Sequence, residues 1–277
     1  MAGLLRILLA TDFGRAAALA RADAALLSRL YQVPVDVVHV HASEPRTRAS
    51  EAARDARTRE HLAECREALL ADGARLGEER STRGSAAEAV LHTAEALDSS
   101  VIVLGAGDRA HDTGATAETV ARFARQPVWI SRPRSEPGLA RVLAAVDCSP
   151  ASREALSFAR ALCDLCAGTL TIAHVLEHPD FVAGADTSAG ELSEHAARAK
   201  AALLDFVTPE LGPTVRYEWG RPHEVLDRIA RQEKSDLLVM GRAGLGGLRR
   251  VFLGGTAERL LRAATCSLLL TSPAGPT

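Results

Sequence analysis

A chain of 277 residues, 47% hydrophobic and 25% charged, has the make-up of an ordinary globular protein. Its formal net charge of −2 gives no electrostatic argument for nucleic acid or for an anionic membrane, and no stretch approaches the ~18 apolar residues of a membrane span. Arg6 and Asp12 break the apolar run at the N-terminus, so no signal peptide is expected. Five scattered cysteines suit a reducing compartment, the cytoplasm, better than a disulfide framework.

Short aliphatic runs alternate with longer helical patterns. Strands are predicted at Leu5–Ala10, Val35–His41, Arg75–Arg83, Val101–Leu104 and Val128–Ser131, with helices at about 15–31, 50–71, 86–97 and 115–125. Strands follow again at Arg141–Val146, Leu170–Leu176, Thr214–Trp219, Leu237–Met240 and Ser267–Thr271, with helices at about 150–166, 188–211, 222–233 and 255–264. This alternation predicts βαβ units and parallel sheets covered by helices on both faces. The nearly unbroken aliphatic first strands fit burial on both sides. Ser149-Pro150 reads as an N-cap followed by proline at the first helical position. The polar segments 42–50 and 177–187 are expected as loop or frayed helix.

The chain is also written twice. Leu5–His41 lies on Ala140–Leu176 without a gap at an offset of 135, pairing Asp12 with Asp147 and His39-Val40 with His174-Val175. The match resumes at offset 136, where Gly105 meets Gly241, and closes at offset 140, where Gly114 meets Gly254. Two similar domains are therefore expected, 1–133 and 139–274. The short linker between them, with two prolines and a glycine over 132–138, leaves the halves little freedom. The copies differ most in one loop: twelve residues separate Gly241 from Gly254, and eight separate Gly105 from Gly114.

The longer loop follows an aliphatic strand and runs into a helix. Its glycines permit close backbone approach to a ligand or positive φ, and the free amides and dipole where the helix starts at Gly255 attract an anion. Arg242, Arg249 and Arg250 add positive charge suited to a polyphosphate. A flexible glycine-rich surface loop is the plainer alternative.

On these residues the chain resembles the universal stress protein family, in a tandem two-domain form, over essentially its whole length. Gly241, Gly244 and Gly254 match the family's Gly-x2-Gly-x9-Gly-(Ser/Thr) nucleotide loop at full spacing. The resemblance implies two tandem α/β domains, each a doubly wound open parallel sheet of order 3-2-1-4-5, like the adenine nucleotide alpha hydrolases. It implies ATP with Mg²⁺ as ligand, with Asp147 beside the adenosine, Val175 at the adenine and Met240 and Gly241 at the ribose. Gly244, Gly254, Gly255 and Thr256 would face the phosphates. AMP or cyclic AMP would use much of the same pocket. The resemblance also implies that the last strands, around Val128-Trp129-Ile130 and Leu268-Leu269-Leu270, join the halves as an internal pseudo-dimer, with a homodimer of chains as a further assembly.

Two departures qualify this reading. Gly255 stands where the family has serine or threonine, so a hydroxyl bond to phosphate worth about 0.5–1.5 kcal/mol is lost. In the first half the loop is short, and Asp108 takes the place of Gly244 with Asp112 nearby, so phosphate is repelled. Asp12 and Val40 keep only the nucleoside side of the pattern.

Other motifs lead less far. Gly105-Ala-Gly107-Asp-Arg-Ala110 fits a dinucleotide fingerprint but follows the fourth strand, not the first. Neither Lys200 nor Lys234 follows a glycine, which excludes a Walker A loop. Cys163-Asp-Leu-Cys166 reads as buried small side chains within a helix, and His39-x-His41 as satisfied histidines at a strand end. With no nucleophile beside a base, the expected protein is an ATP-binding stress sensor or adaptor without efficient catalysis. A slow ATPase and a nucleotide-free scaffold are the rival readings.

Overall fold

A computed structural model describes residues 4–41, 48–107, 114–134, 138–177, 189–207, 214–243 and 253–272. The chain divides into two compact units, Met1–Pro133 and Arg134–Thr277. The first unit runs β1 (Ile7–Thr11), α1 (Arg15–Tyr31), β2 (Pro34–His41), α2 (Arg48–Ala71), β3 (Arg75–Arg83), α3 (Ala86–Ala96), β4 (Val101–Gly105), α4 (Ala115–Phe123) and β5 (Val128–Ser131). The second runs β6 (Arg141–Ala145), α5 (Pro150–Cys166), β7 (Thr169–Leu176), α6 (Ala189–Phe206), β8 (Thr214–Trp219), α7 (Pro222–Gln232), β9 (Leu237–Gly241), α8 (Gly255–Ala263) and β10 (Ser267–Thr271).

In the first unit the strand order is β3-β2-β1-β4-β5, and in the second β8-β7-β6-β9-β10. The pairings are parallel in both. Each unit is thus a 3-2-1-4-5 sheet in its own count. The central strands carry the core: Ile7, Leu8 and Leu9 of β1 and Val101, Ile102 and Val103 of β4 are fully buried, as are Leu237, Leu238 and Val239 of β9. The outer strand β3 is mostly exposed and carries charge at Arg75, Glu78, Glu79, Arg80 and Arg83, a composition that keeps a sheet edge from recruiting further strands.

Most expected boundaries fall within one or two residues of the observed ones, the range over which helix and strand ends differ by definition alone. The first strand begins at Ile7 rather than Leu5, whose side chain is two-thirds exposed. One boundary differs more: the helix expected over 188–211 ends at Phe206. The second helix begins at Arg48, inside a segment expected as loop or frayed helix; the rest of that segment, 42–47, and 178–187 lie outside the described residues.

One polar residue sits where the aliphatic pattern gives no place for it. Asp36, in the middle of β2, is fully buried. Arg6 grips its two oxygens, Nη2 at 2.7 Å and Nε at 2.9 Å, and the Glu78 amide donates to Oδ1 at 2.7 Å. A buried carboxylate is tolerable only with such a full set of partners. Gly77 leaves room for it, since a Cβ there would stand 2.1 Å from Oδ1. Among the described residues no helix is long and apolar enough to cross a membrane.

Candidate functional site

In the second unit β6 lies between β7 and β9. Chain order therefore reverses at β6, and a crevice opens outside the carboxyl ends of β6 and β9. One wall is the turn from β6 into α5. The Val146 amide donates to the Ala173 carbonyl at 2.9 Å, and His174 Nδ1 lies 2.6 Å from the Val146 carbonyl. A carbonyl can only accept, so Nδ1 carries the proton. Asp147 Oδ1 accepts from the Ser149 amide at 3.0 Å, and Cys148 between them is held at φ +62. Ser149 caps α5 as its sequence predicts, accepting from the Ser152 amide at 3.2 Å, with Pro150 at the helix start.

The first unit repeats this turn. Asp12 Oδ1 accepts from the Gly14 amide at 2.9 Å, Phe13 is held at φ +63, and His39 Nδ1 donates to the Thr11 carbonyl at 2.9 Å. The strained conformation belongs to the turn rather than to one side chain, since cysteine and phenylalanine both adopt it.

The opposite wall is the end of β9 and the start of α8. Thr271 Oγ1 donates to the Ala151 carbonyl at 3.0 Å and approaches the Met240 carbonyl at 3.3 Å, tying β10 to α5 and β9. The Arg242 amide donates to Thr271 at 2.7 Å, and the Gly254 amide donates back to the Arg242 carbonyl at 2.8 Å. Helix α8 then starts at Gly255 with no side-chain cap, leaving the amides of its first turn available to a ligand.

The structure brings Asp147, Val175, Met240, Gly241, Arg242, Gly254, Gly255 and Thr256 around one cavity of about 760 Å³, within the usual range for small-molecule sites. Gly244, Arg249 and Arg250 lie outside the described residues. The equivalent cleft of the first unit, beside Asp12, Val40 and Gly114, measures only about 190 Å³, below that range. Asp108 and Asp112 also lie outside the described residues. The sequence reading missed several lining residues: His195 and Ala199 of α6, Pro222 and Leu226 of α7, and Cys148. Pro222 opens a helix directly after the third strand of its unit, which marks it as standing at the same sheet end; α6 carries no comparable signal.

Packing and backbone conformation add reasons for these residues that loop spacing does not carry. Gly241 is fixed by packing: a Cβ there would stand 2.8 Å from Ala151 Cβ and 3.0 Å from the Ala151 carbonyl carbon. Gly105 does the same against Ala16, at 2.4 Å. Gly254 sits at φ −64 and ψ 150, so positive φ is not its reason for being glycine. The shorter first-unit loop does need it, with Gly114 at φ +69. Arg242 is buried rather than reaching out from the loop, and burial pushes its guanidinium down to about 10, which still leaves it cationic at neutral pH.

A nucleotide fits these residues on two counts. The uncapped helix start presents donors where Gly255 leaves open space, nothing lying within 4 Å of a Cβ built there. The lining also includes the apolar side chains of Val175, Leu226 and Met240, a surface suited to a base.

The remaining motifs lie outside this cavity. Cys163 is buried and Cys166 partly so, both free; burial pushes the Cys163 thiol up to about 12, far from the reactive range. His41 Nε2 lies 3.0 Å from Ser81 Oγ, so both strand-end histidines are satisfied. Among the described residues no group of three or more His, Cys, Asp or Glu side chains is placed to hold a metal ion.

The model of the universal stress protein family matches residues 4–132 and again 139–272. A Thermus aquaticus universal stress protein, encoded in a sulfhydrylase 3′ region, is 31% identical over 134 residues, covering 47% of this chain and 96% of that protein. Universal stress protein A homolog 1 of Coxiella burnetii is 29% identical over 135 residues, covering 46% and 92%. A universal stress protein structure from Archaeoglobus fulgidus superposes with a TM-score of 0.73 at 19% identity, covering 97% of this chain and 98% of that one, a likeness of fold.

Proposed function

The chain belongs to the universal stress protein family, in its tandem two-domain form, and on that premise we propose that it is a cytoplasmic ATP-binding protein of the stress response. It holds one nucleotide per chain, in the second half, and acts as a nucleotide-responsive sensor or adaptor without efficient catalysis. The observation that carries this reading is the single cavity of about 760 Å³ shared by Asp147, Val175, Met240, Arg242 and the Gly254–Thr256 helix start.

Each part of the ligand has a chemical partner. The base would rest against Val175 and the ribose against Met240 and Gly241, with Asp147 beside the adenosine. The phosphates would take the first amides of α8 and the helix dipole, with the buried cation of Arg242 behind them. Mg²⁺ would neutralise phosphate oxygens and draw its remaining ligands chiefly from water, as this ion does where no protein cage is built.

Identifying the small molecule released when the gently purified protein is denatured tests the proposal. ATP or another adenine nucleotide supports it; protein that carries none and takes up none on titration refutes it. The apolar sequences of Val128-Trp129-Ile130 and Leu268-Leu269-Leu270 support a further part of the proposal, that the halves join through these strands, with a homodimer as the larger assembly. Cross-linking and sedimentation test both.

A further inference from the structure

The first unit, whose nucleotide cleft is reduced, holds a second cavity of about 430 Å³. It shares only Asp12 with that cleft among the described lining residues. Its walls are Phe13 in the turn after β1, His39 and His41 at the end of β2, and Arg54, Arg57, Thr58 and His61 of α2. The α2 residues recur three or four positions apart, which places them on one helix face.

The cavity combines an aromatic wall with positive charge. The Phe13 ring centroid lies 4.5 Å from that of His39 and 5.0 Å from that of His61, and His41 stands edge-on to His39 at 4.8 Å. Because His39 donates through Nδ1 to the Thr11 carbonyl, its ring orientation is fixed. Arg54 and Arg57 supply two cations. The one carboxylate among the described lining residues, Asp12, already accepts from Gly14 through Oδ1, and Asp55 pairs loosely with Arg54 at 3.7 Å. Burial, then the neighbouring His39 and Arg54, push the His41 imidazole below its ordinary value; Asp55 acts against this and Arg83 with it. Among the described charged lining residues the two arginines, Arg54 and Arg57, thus outnumber the one carboxylate.

Only part of this chemistry is repeated in the second half, where Asp147 and His174 match Asp12 and His39. There the counterparts of Phe13 and His41, at an offset of 135, are Cys148 and Leu176. The turn geometry is shared while the phenyl ring and the second imidazole are particular to the first half.

We propose that this cavity binds a small aromatic carboxylate, its ring against Phe13, His39 and His61 and its carboxylate between Arg57 and His41. Flat rings stack favourably on such a wall, and a charge-assisted bond to a guanidinium fixes the orientation. The site is independent of the nucleotide in the second half.

The test is calorimetric titration of the full chain with 2-naphthoate, with the uncharged 2-naphthylmethanol as control. The expected result is one naphthoate per chain, much weaker uptake of the alcohol, and no displacement by saturating ATP. Arg57→Ala, at an exposed position, and His41→Leu, which writes in the residue of the second half, should each weaken binding about tenfold, with the fold checked by circular dichroism. No naphthoate binding, equal binding of the alcohol, displacement by ATP, or unchanged affinity in Arg57→Ala would each overturn the proposal.

Discussion

The Gly254 amide donates to the Arg242 carbonyl at 2.8 Å, so the two ends of the glycine-rich loop meet at its base immediately before α8 begins. This backbone bond fixes where the helix starts relative to the end of β9, whatever side chains occupy the loop between. It is also why Gly254 can adopt an ordinary extended conformation, while Gly114, at the end of a loop four residues shorter, has to turn through positive φ. Placement of the helix amides beside the carboxyl end of the sheet follows from the loop's length and closure.

Gly241→Ala is expected to destabilise the second unit by about 1–3 kcal/mol, the usual cost of overpacking, because its methyl would meet Ala151 at 2.8 Å. Urea unfolding measures this. A neutral effect would show that α5 can withdraw from β9 at no cost.

Gly255→Ser has the opposite expectation. Nothing lies within 4 Å of a Cβ at this position, so the hydroxyl is accommodated and ATP binds tighter by about 0.5–1.5 kcal/mol. Weaker binding in a folded variant would mean that the phosphates do not lie at the α8 start.

Asp147→Ala should weaken ATP and adenosine by the same factor, since the carboxylate is assigned to the nucleoside end. It also removes an acceptor for the Ser149 amide; a companion variant, Ser149→Ala, keeps that amide and deletes only the cap of α5, so it measures the effect of a weakened helix start and should lose about 1 kcal/mol of stability. Loss of ATP binding with adenosine binding intact would place Asp147 at the phosphates instead.

Stability of the first unit should fall on acidification through the His41 titration. The folded imidazole lies below its ordinary value of 6.5, so between the two values the unfolded chain binds more protons. Stability is full above 6.5 and declines as pH falls toward the folded value. The decline should be shallower in His41→Leu than in the unsubstituted protein when unfolding midpoints are compared across pH 5–8. Parallel profiles would contradict the assignment.

The order and type of the elements were legible because the strands are aliphatic runs and the helices are separately punctuated, Ser149-Pro150 most clearly. The candidate site was legible because its glycine spacing is long and repeats in altered form within the chain. The role of each glycine was not legible. Gly241 packs against Ala151, ninety residues earlier, and spacing within a loop carries no trace of so distant a neighbour. Asp36 was hidden for the same reason, its partners Arg6 and Glu78 arriving from just before β1 and from β3. The first-unit cavity has little signal in the sequence because α2 is polar on most of its surface; the recurrence of Arg54, Arg57, Thr58 and His61 gains meaning only once that segment is known to lie beside Phe13, His39 and His41.

Isothermal titration of the intact chain with Mg²⁺-ATP, beside its Gly254→Val variant, tests the central claim most directly. Valine can adopt the φ of −64 found at Gly254 but would fill the space where phosphate meets the helix amides. The account predicts one ATP per unsubstituted chain and loss of most of that affinity in the folded variant. Two equivalent sites per chain, or unchanged binding in the variant, would contradict it.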